Sequence, residues 1–65
     1  MNRIREIRES KGIKQKELAL LANISAPYLH DLERSARGAK PETWNRIAKA
    51  LDVKVEELQD EQKAG

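Results

Sequence analysis

The stretch Gln15-Lys16-Glu17-Leu18-Ala19-Leu20-Leu21-Ala22-Asn23-Ile24-Ser25-Ala26-Pro27-Tyr28-Leu29-His30-Asp31-Leu32-Glu33-Arg34 decides the fold. Its apolar residues recur at helical spacing in two sets: Leu18, Ala19 and Ala22, then Leu29 and Leu32. Asn23 tolerates the left-handed backbone of a tight turn and ends the first helix, over 15–22. Ser25 offers a hydroxyl as N-cap to the second helix, over 26–35. Pro27 falls in the first turn of that helix, where a missing N–H costs little. The two helices are joined by only Asn23-Ile24-Ser25, and apolar Ile24 is expected between them.

Three further helical segments flank this pair, and none of the five alternates as a strand would. The first runs over 2–11 with Ile4 and Ile7 on one face and stops at Gly12, which favours helix termination. After the loop Arg37-Gly38-Ala39-Lys40, Pro41 opens a helix over 41–51 that is expected to bury Trp44, Ile47, Ala48 and Leu51. A short helix over 55–59 uses Val55 and Leu58. With no repeat and no dividing linker, the chain is expected to be all-α: one compact five-helix domain over 1–60, with residues 61–65 as a frayed tail.

Sixty-five residues without cysteine leave no disulfide or thiolate site to reinforce the core. A chain this short buries only about 60% of its unfolded surface, so helix packing must supply the stability. No apolar run approaches the roughly 20 residues that span a bilayer, and the charged opening Met1-Asn2-Arg3-Ile4-Arg5 lacks a secretory apolar segment. An intracellular, cytoplasmic protein is the expectation. The net charge of +2 is unevenly divided. Residues 1–51 carry eleven basic and six acidic side chains, whereas residues 52–65 carry two basic and five acidic ones. A basic body with an acidic end suits attraction of a polyanion to one face, although a charge-rich surface also splits this way by chance.

Catalysis finds little to work with. His30 is the single histidine and has no cysteine to join it, Glu56 and Glu57 diverge on a helix, and the glycines form no phosphate loop. No catalytic residue, metal site, cofactor or small-molecule substrate is expected. The three-residue turn, by contrast, has the layout of a helix-turn-helix, in which the second helix enters the DNA major groove. An ordinary helical hairpin in a small bundle has the same spacing. With Leu29 and Leu32 inward, Pro27, Asp31 and Arg34 lie on the opposite side at 100° per residue, flanked by Tyr28 and His30. Arg34, Arg37 and Lys40 follow at the helix exit, where phosphates would lie.

The run from Ile4 to Ala19, then Asn23-Ile24-Ser25 with Tyr28-Leu29-His30-Asp31-Leu32-Glu33-Arg34, then Pro41-Glu42-Thr43 and Ile47 to Val53, resembles the Cro/phage-repressor (Xre-like) family without a gap over about residues 2–58. The resemblance implies a lambda-repressor-like domain that binds double-stranded DNA as a transcriptional regulator, most simply a repressor. It implies a phosphate on Gln15 and the amides beside it, with Arg8, Lys14, Lys16, Ser25, Arg34, Arg37 and Lys40 completing the phosphate set. It also implies base contacts from Ala26, Pro27, Tyr28 and Asp31, with His30 alongside. Arg8 and Glu33 match positions that pair in phage repressors, although two unrelated surface charges would look the same in sequence.

Several residues depart from that pattern. Lys14 stands where relatives often have a Ser or Thr cap. It cannot cap and its charge opposes the helix dipole, which suits a lysine near a phosphate or one with no role. Lys54 likewise replaces a cap, so a weak fifth helix is expected. Ala26 and Pro27 can touch only thymine methyls, Tyr28 has one hydroxyl, and Asp31 can accept from cytosine N4 or be held by a cation such as Arg34. DNA shape is then expected to supply part of the specificity. Leu20 and Leu21 stand where polar residues are usual, and one of the two is expected in solvent, as a self-association patch or a solitary surface leucine. Because so thin a base-reading set discriminates poorly, a homodimer on a two-fold site is expected. The competing expectation is a protein-interaction module on the same scaffold, antitoxin-like or an anti-repressor.

Overall fold

The computed structural model describes residues 2–59, which form five helices: α1 (Ile4–Ser10), α2 (Gln15–Leu21), α3 (Ala26–Glu33), α4 (Pro41–Leu51) and α5 (Val55–Leu58). The tail over 61–65 lies outside the described residues. Helix α2 packs against both α3 and α4, and α4 packs against α5. Each helix contributes one apolar stripe to a single core: Ile4 and Ile7, Leu18 with Ala19 and Ala22, Leu29 and Leu32, Ile47 with Ala48 and Leu51, and Leu58. Trp44 and Val55 were expected inside but are half-buried at the edge, as is Ile24. Small Ala19, Ala22 and Ala48 are buried in the core instead.

Four helix ends share one device. Gly12, Asn23, Ser35 and Asp52 all adopt left-handed backbone, with φ of 72°, 59°, 57° and 59°. At the turn between α2 and α3, the Asn23 N–H donates to the Leu20 carbonyl and the Ile24 N–H to the Ala19 carbonyl. These are the paired bonds of a Schellman ending, and the same pair recurs after α1, α3 and α4. The residue after the left-handed position is apolar each time, and Ile13, Ile24 and Val53 pack on the core. Gly12, Asn23 and Asp52 are of types that enter this region readily; Ser35 is less suited and ends α3 nonetheless.

Helix starts are capped in two ways. The Ser25 hydroxyl accepts the Tyr28 N–H at 3.1 Å and starts α3 as the sequence predicts. Lys14 and Lys54 make no side-chain cap, since an ammonium has no acceptor. Three residues on, carboxylates reach back instead: Glu17 accepts the Lys14 N–H at 2.9 Å and Glu57 accepts the Lys54 N–H at 2.8 Å. The fifth helix is thus tied at its start rather than left open. Its end is held too, because the Arg3 N–H donates to the Leu58 carbonyl at 2.8 Å. Asn2 clamps the first helix to the third, donating from Nδ2 to the Leu32 carbonyl at 2.7 Å while its Oδ1 accepts the Ile4 N–H at 3.0 Å.

Candidate nucleic-acid interface

The packing of α1, α2 and α3 converges on one carboxylate. Arg8 donates from Nε to Glu33 Oε2 at 2.8 Å and from Nη2 to Oε1 at 3.2 Å. Its Nη1 donates to the Ile13 carbonyl at 2.9 Å. Gln15 adds a third donor to Glu33, from Nε2 to Oε1 at 3.1 Å. Both charged residues are only 8% exposed. A planar fork meeting a carboxylate through two parallel bonds is the strong geometry for such a pair, and each end is further satisfied inside the protein. The cluster fixes the end of α3 against the start of α2. It also commits Arg8 inward, leaving little of it for the phosphate expected there. The Gln15 amide keeps a second N–H, and the residue is half-buried at the surface.

Above this cluster lies an open groove of about 420 Å³, lined by Arg5, Arg8, Glu9, Gln15, His30, Glu33 and Arg34. It gathers Gln15, His30 and Arg34 from different segments of the chain and adds Arg5, which the sequence reading passes over. Arg5 lies one turn before Arg8 and pairs with Glu9 at 3.2 Å in an exposed i,i+4 bridge. Helical spacing from Arg8 was the signal for it.

Of the five base-reading candidates, Pro27 and His30 are exposed, while Ala26, Tyr28 and Asp31 are half-buried. Ala26 and Tyr28 pack against the core. Asp31 has no ion pair among the described residues, so neither Arg34 nor a lysine holds it. At helical spacing Arg34 was within reach, but its exposed side chain stays solvated. Tyr28 has a partner that sequence spacing does not reveal: the Arg37 guanidinium carbon sits over its ring, 5.3 Å from the centroid. The chain passes through left-handed backbone at Ser35, two residues before Arg37.

The cations of the expected phosphate set divide sharply. Arg8 is paired and buried, whereas Lys14, Lys16, Arg34, Arg37 and Lys40 are exposed and make no ion pair among the described residues. Lys11, Lys49 and Lys54 are unpaired there as well, so position rather than lack of a partner distinguishes the set. Leu20 and Leu21 are both in solvent, at 82% and 62% exposure, against the expectation of one. The α2 residues that face the core are Leu18 and Ala19, and after Ala19 the helix turns its next two positions outward. Among the described residues no cluster of His, Cys, Asp and Glu is suited to a metal, and no helix is long and apolar enough to cross a membrane.

A family model described as helix-turn-helix matches residues 4–58. The chain belongs to the helix-turn-helix family. Among its relatives, control protein C.BamHI of Bacillus amyloliquefaciens is 34% identical over 59 residues, which cover 89% of this chain and 73% of that protein. The HTH-type transcriptional regulator DdrOP3 of Deinococcus deserti is 39% identical over 56 residues, covering 86% of this chain but 43% of the relative. The immunity repressor of Bacillus phage phi105 is 35% identical over 60 residues, covering 92% and 42%. The chain thus spans less than half the length of these last two relatives. In structure it resembles the restriction-modification controller protein C.AhdI from Aeromonas hydrophila, with a TM-score of 0.82, 34% identity, and coverage of 85% of this chain and 83% of the other.

Proposed function

We propose that this chain binds double-stranded DNA sequence-specifically as a transcriptional regulator, a repressor in the simplest case, with α3 in the major groove. The observation that carries the proposal is the way α3 is presented. The Arg8–Glu33–Gln15 cluster and the Ser25 cap lock the helix at both ends, while Pro27, His30 and Arg34 stand in solvent. Phosphates on either side would meet Gln15, Lys14, Lys16 and Ser25 near the start of α2 and the turn, and Arg34, Arg37 and Lys40 at the exit of α3. Base contacts would come from Ala26, Pro27, Tyr28, His30 and Asp31. This set has no bidentate donor, so deformability of the operator contributes to its choice.

Two copies would act together on a two-fold site. Each mismatch typically costs about 1–3 kcal/mol, and coupling two α3 helices doubles the number of positions that exact that cost. Half-sites would then lie about 34–36 Å apart, one turn of duplex. Selection from a random duplex library tests the proposal: inverted repeats at that spacing support it, and failure to enrich any sequence opposes it. A protein partner is the second reading, favoured by the exposure of both Leu20 and Leu21. It predicts little duplex affinity.

A further inference from the structure

Arg37 stands on the loop after α3, outside the helix that would read bases, yet its guanidinium lies 5.3 Å from the ring centroid of Tyr28. That distance is within the roughly 6 Å over which a cation is drawn to an aromatic face. Tyr28 sits in the first turn of α3, its backbone N–H held by Ser25 and its ring half-buried against the core. One side of the ring is thereby fixed by packing and another by the cation. Arg37 itself makes no hydrogen bond or ion pair among the described residues, so all its N–H donors are available while it contacts the ring. Those donors point outward in the guanidinium plane and suit a phosphate.

We infer that Arg37 is a specificity-positioning residue: it couples a backbone phosphate to the orientation of Tyr28, and so governs the base contact made by the Tyr28 hydroxyl. The inference rests on the proposed DNA binding and assigns Arg37 a role beyond sequence-blind neutralisation. A lysine or arginine that only neutralises a phosphate weakens binding to all duplexes alike. Arg37 has to do more, because losing it removes one of the two contacts that hold the tyrosine ring. An exposed cation–π contact is worth about 0.5–1 kcal/mol, which corresponds to about a two- to fivefold change in discrimination.

Library selection with the wild-type chain, Tyr28→Phe, Arg37→Ala, Arg37→Lys and the Tyr28→Phe/Arg37→Ala double variant tests this. Tyr28→Phe keeps the ring and removes the hydroxyl, so it should relax preference at one base position in each half-site. Arg37→Ala should relax the same position by about two- to fivefold, in addition to a general loss of affinity. Arg37→Lys, which keeps a cation for the ring, should retain more of the preference than Arg37→Ala. The double variant should discriminate there no worse than Tyr28→Phe alone. An Arg37→Ala profile superimposable on the wild type, with only uniform weakening, overturns the inference and leaves DNA binding intact. Failure of the wild-type chain to bind any duplex sinks both. Without DNA, NMR should show Arg37 side-chain protons shifted upfield by the Tyr28 ring and restored in Tyr28→Leu. Unshifted protons in the wild type would equally overturn it.

Discussion

Glu33→Ala is expected to be the most damaging single truncation on the surface that joins α1, α2 and α3. The carboxylate accepts two bonds from Arg8 and one from Gln15. Its removal leaves an Arg8 side chain only 10% exposed with the Ile13 carbonyl as its remaining partner. Removing one member of a buried pair costs about 3–5 kcal/mol, because the other charge stays desolvated. A 65-residue domain has about 3–10 kcal/mol of stability in all, so the variant should lose at least about a third of it and, at the low end of that range, all of it. Glu42→Ala is the matched control: its bridge to Arg46 is 45% and 73% exposed and one helical turn long, worth about 0.3–0.5 kcal/mol. Urea titrations followed by helix circular dichroism measure both. Replacing the pair together, as Arg8→Met with Glu33→Leu, should recover much of the loss, since apolar side chains of similar volume carry no desolvation penalty. Equal, small losses for Glu33→Ala and Glu42→Ala would refute the reasoning.

Further expectations follow from the backbone and the surface. Gly12→Ala should cost about 1 kcal/mol although nothing lies within 4 Å of an added Cβ, because the strain comes from φ +72°; Gly38→Ala, equally uncrowded and without positive φ, should be near neutral. Ser25→Ala should destabilise by about 1 kcal/mol through loss of the α3 cap, read in the same titrations. Leu20→Gln should change stability by less than about 0.5 kcal/mol, since the leucine is 82% exposed.

Most of the fold is legible in sequence because the five apolar stripes have helical period and short breaks between them. The three-residue turn is legible because Asn23 and Ser25 advertise opposite ends of two helices. Less visible is the ending at Ser35, which adopts left-handed backbone although serine does not favour it and the Ala36 that follows is exposed. The reach-back of Glu17 and Glu57 is readable in principle, as a glutamate three residues after each helix start, but a lysine at the cap position hides it. The interface is legible as residue types and not as partnerships. Arg8 and Glu33 are 25 residues apart, and only the family resemblance couples them. Nothing in spacing joins Gln15 to Glu33, Asn2 to Leu32, or Arg37 to Tyr28. Leu20 and Leu21 show the converse error: two adjacent leucines imply that one is buried, yet α2 already fills its core positions with Leu18 and Ala19.

The central claim, that this chain binds duplex DNA through its cationic face, is tested most directly by the salt dependence of its affinity for a labelled duplex. Each phosphate neutralised contributes about −0.9 to the slope of log K against log salt. Lys14, Lys16, Arg34, Arg37 and Lys40 together predict a slope of about −4 to −5 per protomer, and about twice that for two copies on one site. Lys40→Ala should reduce the slope by about one unit per protomer. Absence of measurable affinity at low salt, or a slope near zero, would contradict the account.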